Sequence, residues 1–157
     1  MNNIGLNSET SKILSEKLNA LLANYQVFYM NTRGFHWNIK GPQFFQLHSK
    51  FEELYTDSLL KIDEIAERIL TLGQSPLHCF SDYNSQSNIK ECKNISDSNK
   101  AVKTIVQGLQ SLLSLERELL TSSNELGDEG TGALMSDYIR EQEKAVWMYS
   151  AFLNQNK

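Results

Sequence analysis

The sequence predicts an all-α protein: four long helices in a bundle, with one long connection between the second and third that carries a short extra helix. Three observations predict it. Apolar residues recur at intervals of three and four through four separate stretches, the period of one face of a helix. No alternation of apolar and polar residues survives beyond a few positions, and the two prolines, Pro42 and Pro76, stand at the ends of periodic stretches. The 157 residues suffice for one domain with a proper core, so 1–157 is read as a single domain with short tails at 1–7 and 154–157.

Each element follows from local signals. Ser8 or Asn7 can cap a first helix whose apolar positions Ile13, Leu14, Leu18, Leu21, Leu22, Tyr25, Phe28 and Tyr29 recur at three and four residues, and it is expected to run to about Gly34. The segment Trp37 to Pro42 then breaks it, because proline disfavours helix at the preceding Gly41 and suits the first turn of the next. The second helix is expected over about Pro42 to Leu72, with Gly73 as its left-handed cap. A polar Asn/Ser-rich stretch from Gln74 to Ser96 reads as the crossover, its short helix near Ser85 to Glu91. The third helix carries Val102, Ile105, Val106, Leu109, Leu112, Leu113, Glu116, Leu119 and Leu120, and a break at Gly127 to Gly132 precedes the fourth, with Leu134, Tyr138, Ala145, Val146, Tyr149 and Phe152. Four long helices with one long crossover describe the ferritin-like bundle.

Bulk properties narrow the function. The formal net charge is −4, which argues against a general nucleic-acid binder that presents clustered Lys and Arg. No apolar run is long enough for a membrane span, and the first residues have neither a basic n-region nor an apolar h-region, so the cytoplasm is the expected address. Cys79 and Cys92 suggest no disulfide scaffold and are expected as free thiols.

Five potential metal ligands, His36, His48, Glu52, Asp63 and Glu67, fall within one stretch of the chain. At about 100° per residue, the last four lie at roughly 0°, 40°, 60° and 100° around the second helix, on one flank between its apolar stripe and the polar face of Lys50, Glu53, Asp57, Lys61, Glu64 and Arg68. Along the axis, however, His48 and Asp63 are about 22 Å apart, whereas ligands of one ion sit within about 2–2.5 Å of it. One helix cannot close that gap. Two antiparallel copies can, because the midpoints of the pairs 48/67 and 52/63 coincide between Asp57 and Ser58. A two-fold axis there sets His48 against the partner's Glu67 and Glu52 against the partner's Asp63, giving two identical sites per dimer. Leu59, Leu60 and Leu70 share the flank, which a lone subunit would leave partly wet.

The donor set leans to iron or manganese, since carboxylates dominate and no cysteine takes part. An intrabundle di-iron centre normally draws on Glu-x-x-His motifs, and here Arg33, Phe45 and Ser75 stand three residues before the histidines. The chain therefore points to the site between subunits.

From Phe35 to Arg68 the sequence resembles the signature of the Dps family, also called mini-ferritins, in its HW-N-x-x-G opening, F-x-x-LH core and D-x-x-AER close; W-M-Y-x-A-F-L at Trp147 to Leu153 extends the likeness. The resemblance implies a shell of twelve subunits with an iron-oxidising centre at the two-fold interface. It implies His36, His48 and Glu52 from one subunit, Asp63 and Glu67 from its partner, and two iron positions per site. Many members carry Asp where this chain has Glu52. The implied activity is a ferroxidase that consumes hydrogen peroxide and stores ferric mineral, with Trp37 beside the centre as a scavenger of stray oxidising equivalents. Acidic residues near the start of the fourth helix would line iron-entry pores, here Glu125, Asp128 and Glu129; Asn124 and Ala133 stand where some members place further carboxylates.

Direct DNA binding is not expected, because residues 1–7 have no basic side chain and the carboxy-terminal tail has only Lys157. A nucleoid-coating DNA-binding shell with an incidental metal site is the alternative reading. His78 beside Cys79 reads as exposed loop sequence, and Glu116-Arg117-Glu118 as a solvated charge run.

Overall fold

The computed structural model describes residues 1–154. Five helices follow one another, α1 (Ser8–Asn38), α2 (Phe44–Thr71), α3 (Phe80–Gln86), α4 (Ser98–Leu126) and α5 (Glu129–Phe152), with no strand among the described residues. The pairs α1·α2 and α4·α5 pack as hairpins, joined mainly through α1 against α4, while α3 lies on α1. The predicted architecture is observed: four long helices, one long crossover, and a short helix within it.

The apolar period places the core. Leu14, Leu18, Leu21 and Tyr25 of α1, Phe51, Ile65 and Ile69 of α2, and Ile105, Leu109 and Leu112 of α4 are at most 1 % exposed, and Met135 and Tyr138 of α5 close the cluster. Burying such side chains stabilises by about 1.5–3 kcal/mol each. Residues 1–7, expected as a tail, form a turn in which Asn2 Oδ1 accepts from the Leu6 N–H at 2.9 Å and Asn2 Nδ2 donates to Ser11 Oγ at 3.0 Å. Of the carboxy-terminal tail, residues 155–157 lie outside the described residues.

Three boundaries differ from the sequence expectation by more than the two residues that separate Pro42 from the start of α2 at Phe44. α1 does not stop near Gly34 but continues four residues further, to Asn38, so His36 and Trp37 are helical and not part of a break. Glycine inside a helix costs only about 1 kcal/mol, and burial of Phe35 and Ile39 outweighs it. The crossover helix forms at Phe80–Gln86 and not at Ser85 to Glu91, because α1 takes the backbone groups of that second stretch for itself. Asn24 Oδ1 accepts the N–H groups of Asn88 and Ile89 at 3.0 and 3.1 Å, and Asn31 accepts the Cys92 N–H at 2.9 Å while donating to the Lys90 carbonyl at 2.9 Å. Finally, the break before the last helix shrinks to Gly127 and Asp128. Gly127 takes a left-handed conformation (φ +75°), and Gly130 and Gly132 sit inside α5 because other groups occupy the space beside them. A Cβ on Gly130 would lie 2.8 Å from the Arg68 guanidinium, and one on Gly132 3.1 Å from Ser123 Oγ.

Candidate metal centre

The five-residue turn between α1 and α2 brings His36, in the last turn of the first helix, onto His48, in the second turn of the next. Their rings stack with centroids 3.7 Å apart and planes 14° from parallel. Each ring is clasped by the other residue's backbone: His36 Nδ1 lies 2.6 Å from the His48 carbonyl oxygen, and His48 Nδ1 lies 2.7 Å from the His36 carbonyl oxygen. The second acceptor is vacant because α1 ends: Lys40, whose N–H would otherwise reach it, donates to Ser96 at 3.0 Å. A carbonyl can only accept, so both Nδ1 atoms carry a proton, and the lone pair of each neutral imidazole is then on Nε2. This is how metal-binding histidines are commonly oriented, by a backbone carbonyl on the nitrogen that does not ligate.

The surrounding rings hold the pair in place. Phe44 stacks on His48 at 4.9 Å, and Tyr55 meets His36 edge-on at 5.3 Å. His36 is 8 % exposed and His48 half-buried, while Glu52, one turn beyond His48, is exposed. Asp63 and Glu67 are exposed further along the same helix, with Leu59, Leu60 and Leu70 around them exposed by 50–61 %. Within one chain the structure thus unites the two histidines, with Glu52 adjacent in sequence register, and leaves Asp63 and Glu67 about 22 and 28 Å along the helix from His48. Among the described residues, no three His, Cys, Asp or Glu side chains of one chain converge as a metal site.

A family model described as a ferritin-like domain matches residues 15–157. The chain is 57 % identical to a Dps protein of Vibrio cholerae O1, described as a member of a broad superfamily of ferritin-like diiron-carboxylate proteins, whose crystal structure superposes with a TM-score of 0.96 over 98 % of this chain and 96 % of that one. A Bacillus brevis Dps structure, 34 % identical, gives 0.90 over 94 % and 99 %. A DNA protection during starvation protein of Porphyromonas gingivalis is 42 % identical over 94 % of this chain and 93 % of its own. The chain belongs to the Dps family.

In this Dps-family chain, Trp37 is 57 % exposed and the Arg33 guanidinium lies 5.0 Å from its ring centroid. Of the three acids considered for a pore, Glu125 and Glu129 face solvent. Asp128 is 2 % exposed, caps α5 by accepting from the Thr131 N–H at 3.0 Å, and pairs with Arg68 at 2.6 Å. His78 is exposed, as are Cys79 and its neighbour Phe80; Cys92 is half-buried, and burial pushes its thiol pKa up.

Two polar groups lie where the sequence reading did not put them. Glu116 is not solvated but fully buried, in the register of the α4 apolar stripe. Its Oε1 accepts from the Tyr25 hydroxyl at 2.6 Å and from Gln142 Nε2 at 2.5 Å, and Gln142 also donates to the Tyr25 oxygen. Burial raises its carboxyl to about 7, against the hydrogen bonds of Tyr25 and Gln142 and the charges of Lys61 and Arg117, which pull the other way. The Tyr25 phenol is pushed well up by the same burial and by Glu116. Lys61, read as part of the polar face of the second helix, is 4 % exposed, with Nζ between Asp57 at 2.7 Å and Glu141 at 2.6 Å. Lys61, Glu64 and Arg68 of that face tie α2 to Glu141 and Tyr138 of α5 and to its cap Asp128, while Lys50 pairs with Glu53 within α2. The signal for Glu116 was its spacing from Leu112 and Leu119; for Lys61 it was the proximity to Ile62 and Ile65 in a helix covered on two sides.

Proposed function

We propose that this protein is an iron-storage ferroxidase, oxidising Fe(II) with hydrogen peroxide at a site shared by two subunits of a hollow twelve-subunit shell. The observation that carries this reading is the reciprocal clasp of His36 and His48. It leaves two Nε2 lone pairs beside a flank that bears Glu52, Asp63 and Glu67 and exposes three leucines. Such a flank suits a self-complementary two-fold contact. Antiparallel pairing would complete each site with Asp63 and Glu67 of the second subunit. Family membership, with a ferritin-like diiron-carboxylate relative at 57 % identity, supports iron as the substrate.

The chemistry follows from the donors. Anionic oxygen ligands stabilise Fe(III) over Fe(II), and imidazole suits iron. Two Fe(II) ions held together give one electron each to one peroxide; its O–O bond breaks, two protons are taken up and two waters form. Paired delivery avoids a free hydroxyl radical. Glu52, longer by one methylene than the Asp of many relatives, still offers a carboxylate and would alter the balance between the two iron positions. Glu125 and Glu129 are the acids free to guide Fe(II) inward.

Stopped-flow oxidation of Fe(II) by peroxide tests the site. Glu52→Ala and Asp63→Ala are expected to slow the initial phase by about 10–100-fold, the loss typical when a metal ligand sphere is damaged. Unchanged iron uptake and peroxide consumption in both variants would overturn the proposal. The rival reading, a DNA-coating shell, would set a chain of net charge −4 against the phosphates of DNA.

A further inference from the structure

Tyr55 stands between the histidine clasp and a second phenol. Its ring meets His36 edge-on at 5.3 Å and Tyr29 edge-on at 5.9 Å, an unbroken run of aromatic contacts from α2 back into α1. Arg33 lies among these rings, its guanidinium carbon 5.5 Å from the Tyr55 centroid, 5.9 Å from Tyr29 and 5.0 Å from Trp37, and it donates a 2.7 Å hydrogen bond to the Tyr29 hydroxyl oxygen. We propose that Tyr55, relayed by Tyr29, is the electron donor that completes peroxide reduction when a site holds a single Fe(II).

The fixed charge of Arg33 selects the donor. Removing an electron from an indole first creates a cation, which a guanidinium stacked on the ring disfavours. A phenol gives up its proton with its electron and is neutral before and after, so the same charge leaves its oxidation nearly unopposed. Tyr55 is half-buried against the ring of a ligand candidate. The step balances: Fe(II), the Tyr55 phenol, one peroxide and one proton from solution become Fe(III), a neutral tyrosyl and two waters. The O–O bond breaks with one electron from iron and one from the ring, and the phenol proton contributes to the waters. Hydrogen-atom transfer from Tyr29 restores Tyr55 and moves the radical away from the metal. A later Fe(II), with a proton, returns the chain to its resting state.

This inference rests on the ferroxidase reading, and freeze-quench electron paramagnetic resonance distinguishes the two. The intact shell is loaded anaerobically with one Fe(II) per site, treated with one equivalent of peroxide and frozen. Wild type should give Fe(III) together with a radical signal that narrows when ring-deuterated tyrosine is incorporated. Tyr55→Phe, which keeps the ring packing, should still form Fe(III) but lose that signal and release hydroxyl radical to a spin trap. Trp37→Phe should retain the signal, and Arg33→Met should add a second component that narrows with deuterated tryptophan. Fe(III) without a tyrosyl in wild type, or a signal undiminished in Tyr55→Phe, overturns the relay alone. Fe(III) that forms in wild type no faster than in protein-free solution overturns the ferroxidase reading and the relay with it.

Discussion

His36 and His48 each donate Nδ1–H to the other's backbone carbonyl, at 2.6 and 2.7 Å, and so fix each other's tautomer without any third residue. The arrangement depends on α1 ending at Asn38, which frees the His36 carbonyl, and on a turn short enough to return the chain one helix diameter away. Replacing either histidine therefore removes one ligand and unclasps the other. His48→Ala should lower the initial rate of Fe(II) oxidation by at least about 10–100-fold, and His36→Ala by a similar factor. Combining them should cost much less than the product of the two effects, because the pair acts as a unit. Rates for the two single variants and the double variant check this.

Glu116 links stability to pH in the direction opposite to most carboxylates. Its folded pKa, about 7, lies above the ordinary value of 4.5, so the native state holds the proton more tightly than the unfolded chain. The stabilisation it contributes is present in acid and is lost as the pH rises from about 4.5 to about 7. Glu116→Gln keeps an oxygen acceptor for Tyr25 and Gln142 and removes the titration. Relative to wild type the variant should gain on the order of 1–3 kcal/mol between pH 5 and pH 8. Thermal unfolding of both proteins across that range reads the difference.

Lys61 supplies a contrast between removing a buried charge and stranding it. Asp57 and Glu141 are each about half exposed, so deleting the lysine returns both carboxylates to water. Lys61→Met should cost less than about 2 kcal/mol, since it retains most of the buried stem. Asp57→Ala combined with Glu141→Ala leaves the ammonium buried without a partner and should cost about 3–5 kcal/mol. Denaturant midpoints of the two variants give the order.

Gly108 carries a packing constraint of its own. A Cβ there would fall 2.7 Å from Phe28 Cδ2, where α4 crosses α1. Gly108→Ala should destabilise by about 1–3 kcal/mol despite the better helix propensity of alanine. Phe28→Leu in the same background should recover part of the loss, as a denaturant melt would show.

The sequence carried the fold well where one period dominated. Each long helix and most core positions follow from apolar spacing, though Phe35, Ile39, Leu47 and Met135 do not, and the flank bearing His48, Glu52, Asp63 and Glu67 follows from the same wheel. What the period did not carry was the partner of each polar group. Glu116 and Arg117 look alike as charges, and only the packing of α1 and α5 buries one while exposing the other. The crossover eluded local signals because the side chains of Asn24 and Asn31, more than fifty residues upstream, hold its backbone. Asp128 likewise reads as an open acid until Arg68 of another helix is seen against it.

The division of the site between two subunits is tested most directly by complementation. His48→Ala and Asp63→Ala subunits are co-assembled, and initial Fe(II) oxidation by peroxide is compared with shells of either variant alone. If each site takes His48 from one chain and Asp63 from its two-fold partner, a mixed dimer holds one doubly damaged site and one intact site. Random mixing in equal amounts should then restore about one quarter of wild-type activity, although both parents are nearly inactive. Mixed shells no more active than their parents, with mixed dimers verified by mass spectrometry, would contradict the shared site.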